Sequence, residues 1–269
     1  MNIIDYLSEI KILQIGCGGT GSWVVPLVSK LINNIRLRLP DTVQISYKLI
    51  DDDAVEERNI LRQNFNEWDI GKGKAQSLVN KFIYNFKDLQ STSYRIKTRK
   101  DIFGFCFSPF REELENLNSL TIIIGCVDNN KSRHLIYKSL KYFLKNYDDK
   151  KKHIYIDSGN LLYNGQVVTL SFGFEEFLIK KLEEYEPDKA IELKKQIKKR
   201  KKLNFTKMFP LENPIEVQQN CAFFGDQSQA INSLSANIIF CNLQKILVTS
   251  EMPPQIITFN SSGYSTFEI

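Results

Sequence analysis

The stretch KILQIGCGGTG, residues 11–21, runs from a short apolar segment into a turn holding Gly16, Gly18, Gly19 and Gly21. An apolar run of this length that stops at glycine reads as a buried strand. Residues 20–33 after it read as a helix. Pro26 fits that helix only near its first turns, because proline removes a helical hydrogen bond. A strand, a glycine turn and a helix let backbone N–H groups approach phosphate oxygens at a helix N-terminus. Taken alone, the turn equally suits a tight connection with no ligand, or a nicotinamide dinucleotide.

Working outward, strands and helices alternate. Residues 43–50 read as a second strand, and 73–86 as a helix with Ala75, Leu78, Val79, Phe82 and Phe86 on one face. Residues 94–98 read as a third strand. The β-branched run 121–125 reads as a central strand. A helix over 132–144 and strands over 154–157 and 166–172 follow. This order predicts an α/β fold with a Rossmann-like, doubly wound, mostly parallel sheet. From 174 to 202 the composition turns to Glu, Lys and Leu without glycine, a charged helical insert. Residues 203–219, with Pro210 and Pro214, read as an extended crossover, so the insert spans 174–220. A long apolar-periodic helix over 226–248 and edge strands within 256–267 complete a single expected domain over 1–269.

Bulk composition narrows the class. Of the 269 residues, 42% are hydrophobic, which suits a packed core rather than disorder. No apolar run approaches the roughly 20 residues that span a bilayer. MNIIDYLSEIK shows no basic region followed by an apolar one, so no signal peptide is expected. The five cysteines form no CxxC pair, which argues against a zinc site or a disulfide framework and for a reduced, cytoplasmic setting. The net charge of +5 is concentrated in Lys194, Lys195, Lys198, Lys199, Arg200, Lys201 and Lys202. That run is either a solvated helix face or a surface for an acidic partner. It lacks the aromatic interleaving that would favour nucleic acid.

The residues after the second strand separate the ligand readings. That strand ends in Leu49-Ile50-Asp51, where a carboxylate can accept from ribose hydroxyls. Asp52, Asp53, Asn59, Arg62 and Gln63 follow. A hydride-transfer enzyme has no use for Asn and Arg at this place. A triphosphate does, since arginine offers a planar donor fork to phosphate oxygens. Lys74, in GKGK, opens the next helix, where an ammonium and the positive helix end can both face phosphate; alone it would read as a solvent-exposed lysine. After the central strand comes GCVDNNKSR, residues 125–133. Asp128 there suits Mg²⁺, which takes one or two carboxylates with phosphates and waters, or it caps the following helix.

GCGGTG, LIDDDAVEERNILRQ, GKGK and CVDNNKSR, in this order, resemble the ThiF/MoeB/HesA family, bacterial relatives of ubiquitin-activating enzymes. IDSGNLLYNGQVVTL resembles the strand pair that follows the nucleotide site in that family. The resemblance covers residues 10–172 well and the final helix loosely. The segment around Cys221 and GDQSQA is most similar to ThiF-type members encoded in plasmid-associated PRTRC gene clusters. The resemblance implies ATP-Mg²⁺ binding and adenylation of a carboxyl terminus, usually that of a small ubiquitin-like protein, with pyrophosphate released. It implies that Gly16, Gly18, Gly19 and Gly21 form the nucleotide loop and Asp51 holds the ribose. Asp53 and Gln63 would line the same wall. Asn59, Arg62 and Lys74 would hold the triphosphate and stabilise charge at the α-phosphate. Asp128 would hold Mg²⁺, with Asn129 and Arg133 supporting its loop. It also implies a homodimer.

Other readings remain open at this point. ATP-dependent activation of a small molecule or of a tRNA base is one; the lack of a broad basic and aromatic surface argues against tRNA. A scaffold that has lost activity is another, although such a site has no need to keep Asp51, Arg62, Lys74 and Asp128 together. Cys221 sits between the crossover and the last helix. It is either a small buried residue or a carrier of the activated acyl group or of sulfur, its thiolate favoured by the helix end.

Overall fold

Five parallel strands form the body of the sheet. In the computed structural model they are β1 (Glu9–Ile15), β2 (Gln44–Ile50), β3 (Leu89–Thr92), β4 (Ser119–Gly125) and β5 (Lys152–Asn160). At its centre, β1, β4 and β5 are the most fully buried. The model describes residues 2–39, 42–107, 118–147, 152–161, 163–200, 203–210, 228–261 and 265–268. These five strands pair in parallel. β6 (Asn164–Phe172), β7 (Ile256–Asn260) and β8 (Ser265–Glu268) extend the sheet antiparallel. The order is β3-β2-β1-β4-β5-β6-β7-β8, so the Rossmann-like, mostly parallel sheet is observed. The direction of winding reverses between β1 and β4, where open α/β sheets form a ligand crevice.

Alternate strand residues feed two cores. Ile10 and Ile12 of β1, with Ile122 and Ile124 of β4, pack under α1 (Gly19–Arg36), α3 (Lys74–Phe82), α6 (Phe174–Tyr185) and α9 (Gln229–Gln244). Leu13 and Ile15, with Ile123, face α4 (Arg99–Phe107), α5 (Asn130–Tyr147) and α8 (Phe205–Met208). A one-turn helix, α2 (Glu57–Ile60), lies in the loop after β2, and α7 (Pro187–Lys199) folds back along α6. No helix of the described residues is long and apolar enough to cross a membrane.

Three segments differ from the sequence reading. The third strand is 89–92, not 94–98. β3 has a single neighbour and buries only Leu89, so no apolar alternation marks it. Residues 203–219 are not wholly extended: Asn204 caps α8 by accepting from the Lys207 N–H, and Phe205 and Phe209 are buried on Tyr137 and Tyr155. Residues 211–227, and with them Cys221, lie outside the described residues. Pro26 sits inside α1 as its eighth residue. A helical proline strips the carbonyl four residues earlier of its partner. Here that carbonyl is Ser22, and it accepts from Asn64 Nδ2 at 3.3 Å. The Asn64 N–H donates to Ser22 Oγ at 3.0 Å. The loop carrying Arg62 and Gln63 is thereby tied to α1, and Trp23 Nε1 adds a bond to the Arg62 carbonyl at 3.2 Å.

Candidate functional site

The parallel strands end level with one another. Ile15 is in register with Ile50 and with Gly125, and Gly125 with Asp157. The glycine turn, the Asp51 segment and the Cys126–Asn130 turn therefore rise from one line across the sheet. They wall a cleft of about 1700 Å³. Gly16, Gly18, Gly19, Asp51, Asp53, Asn59, Arg62, Gln63, Lys74, Asp128, Asn129 and Arg133 all line it. Gly21 does not; it packs behind the turn.

Two of the glycines are required by contact. Gly16 has φ +97°, and a Cβ there would lie 2.4 Å from the Cys126 carbonyl oxygen. A Cβ on Gly21 would lie 2.2 Å from the Gly16 carbonyl oxygen. Gly18 meets nothing nearer than Gln63 Nε2 at 3.9 Å, so the turn is open toward the cleft there. No side chain caps α1, which leaves its first-turn N–H groups available to an anion.

The turn is held from below by residues the sequence reading passed over. Gln14 is fully buried, and its Nε2 donates to the carbonyls of Gly16 and Gly21, each at 3.0 Å. The Tyr47 hydroxyl, also fully buried, donates to Gln14 Oε1. The Gly16 N–H is spent on the Ile50 carbonyl and the Cys17 N–H on Asp51, so the N–H groups that remain for an anion are those at the start of α1. A single amide between the apolar residues Leu13 and Ile15 was the available signal.

Asp51 accepts from the Cys17 N–H at 2.6 Å and from the Asp53 N–H at 2.8 Å. Burial raises its pKa, and these two bonds and Lys74 pull the other way. Each of its oxygens keeps a lone pair for a hydroxyl donor. Lys74 opens α3 almost fully buried, its Nζ 3.2 Å from Asp53 Oδ2. Arg62 is half-buried and makes no ion pair among the described residues. Asn59 is buried and its Oδ1 accepts from the Glu56 N–H at 2.9 Å. Gln63 is buried with its Oε1 unpaired.

Across the cleft, the cap of α5 is Asn129, whose Oδ1 accepts from the Ser132 N–H at 2.8 Å. Asp128 is therefore not spent on capping. It is exposed, and one oxygen takes an N–H from Asn129 Nδ2 at 2.9 Å. Arg133 is buried and makes four bonds: it donates to Asp157 Oδ1 (3.0 Å), Asn130 Oδ1 (2.9 Å), the Val127 carbonyl (2.5 Å) and the Ser158 carbonyl (2.8 Å). It braces the Asp128 turn instead of reaching into the cleft. Its partner Asp157 is fully buried, and burial pushes its pKa up to about 6 against the pull of Arg133 and Tyr155. Asp157 was missed from sequence, where it reads as an ordinary strand-end acid. Burial also pushes the Cys17 and Cys126 thiols up, which disfavours the thiolate at both.

Two carboxylate groupings are candidates for a divalent cation. Asp51, Asp52 and Asp53 bring oxygens within 4.8 Å of one another, but Lys74 and Arg95 already pair with two of them. Asp128 stands alone with a free oxygen facing the cleft, which fits a magnesium ion sharing its shell with phosphates and waters.

A Rossmann-like sheet with its cleft at the switch point, and with charged groups rather than a bare glycine turn around it, defines a nucleotide-site architecture. The particular kind follows from the match of residues 3–189 to the ThiF family profile, and the chain belongs to the ThiF family. No curated protein sequence matches it. Among solved structures, E. coli MccB with ATP is similar, at 17% identity and a TM-score of 0.56, over 99% of this chain and 65% of MccB. MccB with AMPCPP and MccA gives 18% and 0.56, over 99% and 65%. PaaA gives 16% and 0.54, over 96% and 63%. The chain spans less than two thirds of the length of these proteins, and the likeness shows the fold.

Proposed function

We propose that the protein uses ATP-Mg²⁺ to adenylate a carboxylate, the C-terminus of a small ubiquitin-like partner protein. The observation that carries the reading is the convergence of Asp51, Arg62, Lys74 and Asp128 on one cleft at the reversal point of the sheet. A carboxylate oxygen attacks the α-phosphorus, the bond to the bridging oxygen breaks, and pyrophosphate leaves with its electron pair. No proton has to move, so the work of the chain is positioning and charge stabilisation. The N–H groups at the start of α1 bind phosphate oxygens, and Asp51 orients the ribose. Arg62, which makes no ion pair among the described residues, and Lys74 meet the charge that builds at the α-phosphate. Asp128, in the Asn129- and Arg133-braced turn, would hold Mg²⁺, which supplies neutralisation of the phosphates.

The far end of the cleft supports a peptide-like substrate. Asn160, Asn164, Gln166 and Asn260 line it beside Met208 and Phe259. Asn160 Nδ2 is held by Thr20 and Asn232 and Gln166 Nε2 by the Met208 carbonyl, and the exposed Asn164 amide is of the kind that pairs with an N–H or C=O group of an extended chain. MccB, solved with AMPCPP and MccA together, supports a site that takes a nucleotide and a second molecule. A cytoplasmic homodimer of the PRTRC type, with Cys221 able to receive the activated acyl group, completes the proposal.

ATP–pyrophosphate exchange with candidate carboxylate partners tests it. Exchange should appear with one partner, require Mg²⁺, and vanish in Asp128→Ala. Exchange that is unaffected by Asp128→Ala would remove the metal assignment, and no exchange with any carboxylate would remove the reading.

A further inference from the structure

Arg95 belongs to none of the motifs that mark this site, yet it stands at the mouth of the cleft. It follows β3, in a segment without regular structure. Its Nε lies 2.8 Å from Asp52 Oδ2 and its Nη2 3.2 Å from Asp53 Oδ1. The segment is fixed, not loose. Asp101 of α4 accepts from the Lys97 and Thr98 N–H groups at 2.8 and 2.7 Å and from the Tyr94 hydroxyl at 2.9 Å. The Tyr94 ring packs edge-on against Phe105, with centroids 5.0 Å apart. Arg95 is thus presented on an anchored strap, while its own guanidinium stays more than half exposed.

The need for a cation here follows from charge. Asp51, Asp52 and Asp53 crowd three carboxylates into the wall that a polyanionic nucleotide must pass. Lys74 reaches Asp53 from the buried side. Among the described residues, Lys74 and Arg95 are the cations paired with this triplet, and without Arg95 the Asp52 carboxylate would have no ion-pair partner.

We propose that Arg95 is a positioning residue that acts through Asp52 and Asp53: it neutralises the acidic mouth so that the nucleotide can approach, and does not itself bind the nucleotide. This rests on the ATP reading above and adds to it a determinant of nucleotide affinity outside the phosphate-binding groups. Both of its bonded nitrogens are committed to carboxylates, and its strap lies on the β3 side of Asp51, away from the Asp128 turn.

The test is calorimetric titration of the full chain with the non-hydrolysable analogue AMPCPP and Mg²⁺. Four proteins are compared: wild type, Arg95→Ala, Asp52→Asn and the double variant, each at low and high salt. Loss of one charge about 10 Å from a nucleotide of net charge about −2 should weaken binding about fourfold at low salt. The effect should shrink toward onefold at about 0.5 M salt, where screening acts over a few ångströms. Asp52→Asn should tighten binding by a similar factor. The double variant, with the same local charge as wild type, should return to wild-type affinity. A double variant as weak as Arg95→Ala would mean that Arg95 touches the nucleotide, and the proposal falls. Wild-type affinity in Arg95→Ala at low salt overturns it as well. Both results leave the ATP reading standing, whereas a wild-type chain that does not bind AMPCPP overturns both.

Discussion

Replacing Tyr47 with Phe removes one fully buried oxygen atom and should still weaken nucleotide binding. The Tyr47 hydroxyl is the donor to Gln14 Oε1, and Gln14 Nε2 holds the carbonyls of Gly16 and Gly21. Both side chains are fully buried. Phe fills nearly the same volume, so no cavity term enters; the cost is a buried acceptor left without a donor, about 1–3 kcal/mol. In a chain of this size, ~2 kcal/mol lowers the unfolding midpoint by about 4–8 °C. A Gln14 amide free to turn over no longer fixes the glycine turn, and about 1 kcal/mol of lost preorganisation is about a fivefold rise in Kd. Urea unfolding and titration with AMPCPP read the two effects separately. Wild-type stability together with wild-type affinity would refute the claim that this pair supports the turn. Reduced stability with unchanged affinity would refute its link to the ligand.

Further outcomes follow from the same geometry. Arg62→Ala and Lys74→Ala should each slow single-turnover adenylation about 100-fold, with a smaller loss of AMPCPP affinity, because both cations meet charge that develops in the transition state; losses confined to affinity would contradict that role. Asp157 titrates at about 6 in the folded chain and near 3.9 unfolded, so the native state holds the extra proton between these values. Its contribution to stability is full below about pH 3.9 and is lost, by about 3 kcal/mol, as pH rises through 6. Asp157→Asn should flatten that slope in denaturation measured from pH 4 to 7, and an unchanged slope would place the titration elsewhere.

The cleft was legible in sequence because its residues sit in short motifs beside glycines, where polar residues have no packing reason to gather. Gly16, Asp51 and Lys74 are each within one residue of a strand or helix end and Asp128 is two residues before a helix, and the alternation of elements located those ends. What supports the cleft was not legible. Gln14 and Tyr47 lie inside strands, 33 residues apart, and each matters only through the other. Arg133 was read as support for the Asp128 turn, but Asp157, the acid that makes that support possible, is on the next strand and carries no local mark. Arg95 was hidden by a wrong strand: 94–98 alternates like a strand, while the true β3 is an edge whose polar residues face outward. Pro26 was judged by its effect on a helix in isolation, and the compensating Asn64 lies 38 residues away in sequence.

That last pairing has a kinetic side. A helix normally closes its hydrogen bonds from its own residues and can form early. In the first half of α1 the Ser22 carbonyl loses its helical donor to Pro26 and takes Asn64, which lies in the loop beyond β2, so this end of α1 is expected to gain its full bonding only when that loop docks. Contacts of such separation in sequence form late, since loop closure must come first. The head of α1, and with it the phosphate-facing turn, therefore sets only once the loop bearing Arg62 and Gln63 has docked. Pulsed hydrogen exchange showing the first turns of α1 protected ahead of β2 would contradict this order. Assembly of the nucleotide pocket is thus a single event: its two walls mature together, and a chain truncated or stalled before residue 64 displays no half-built phosphate cradle.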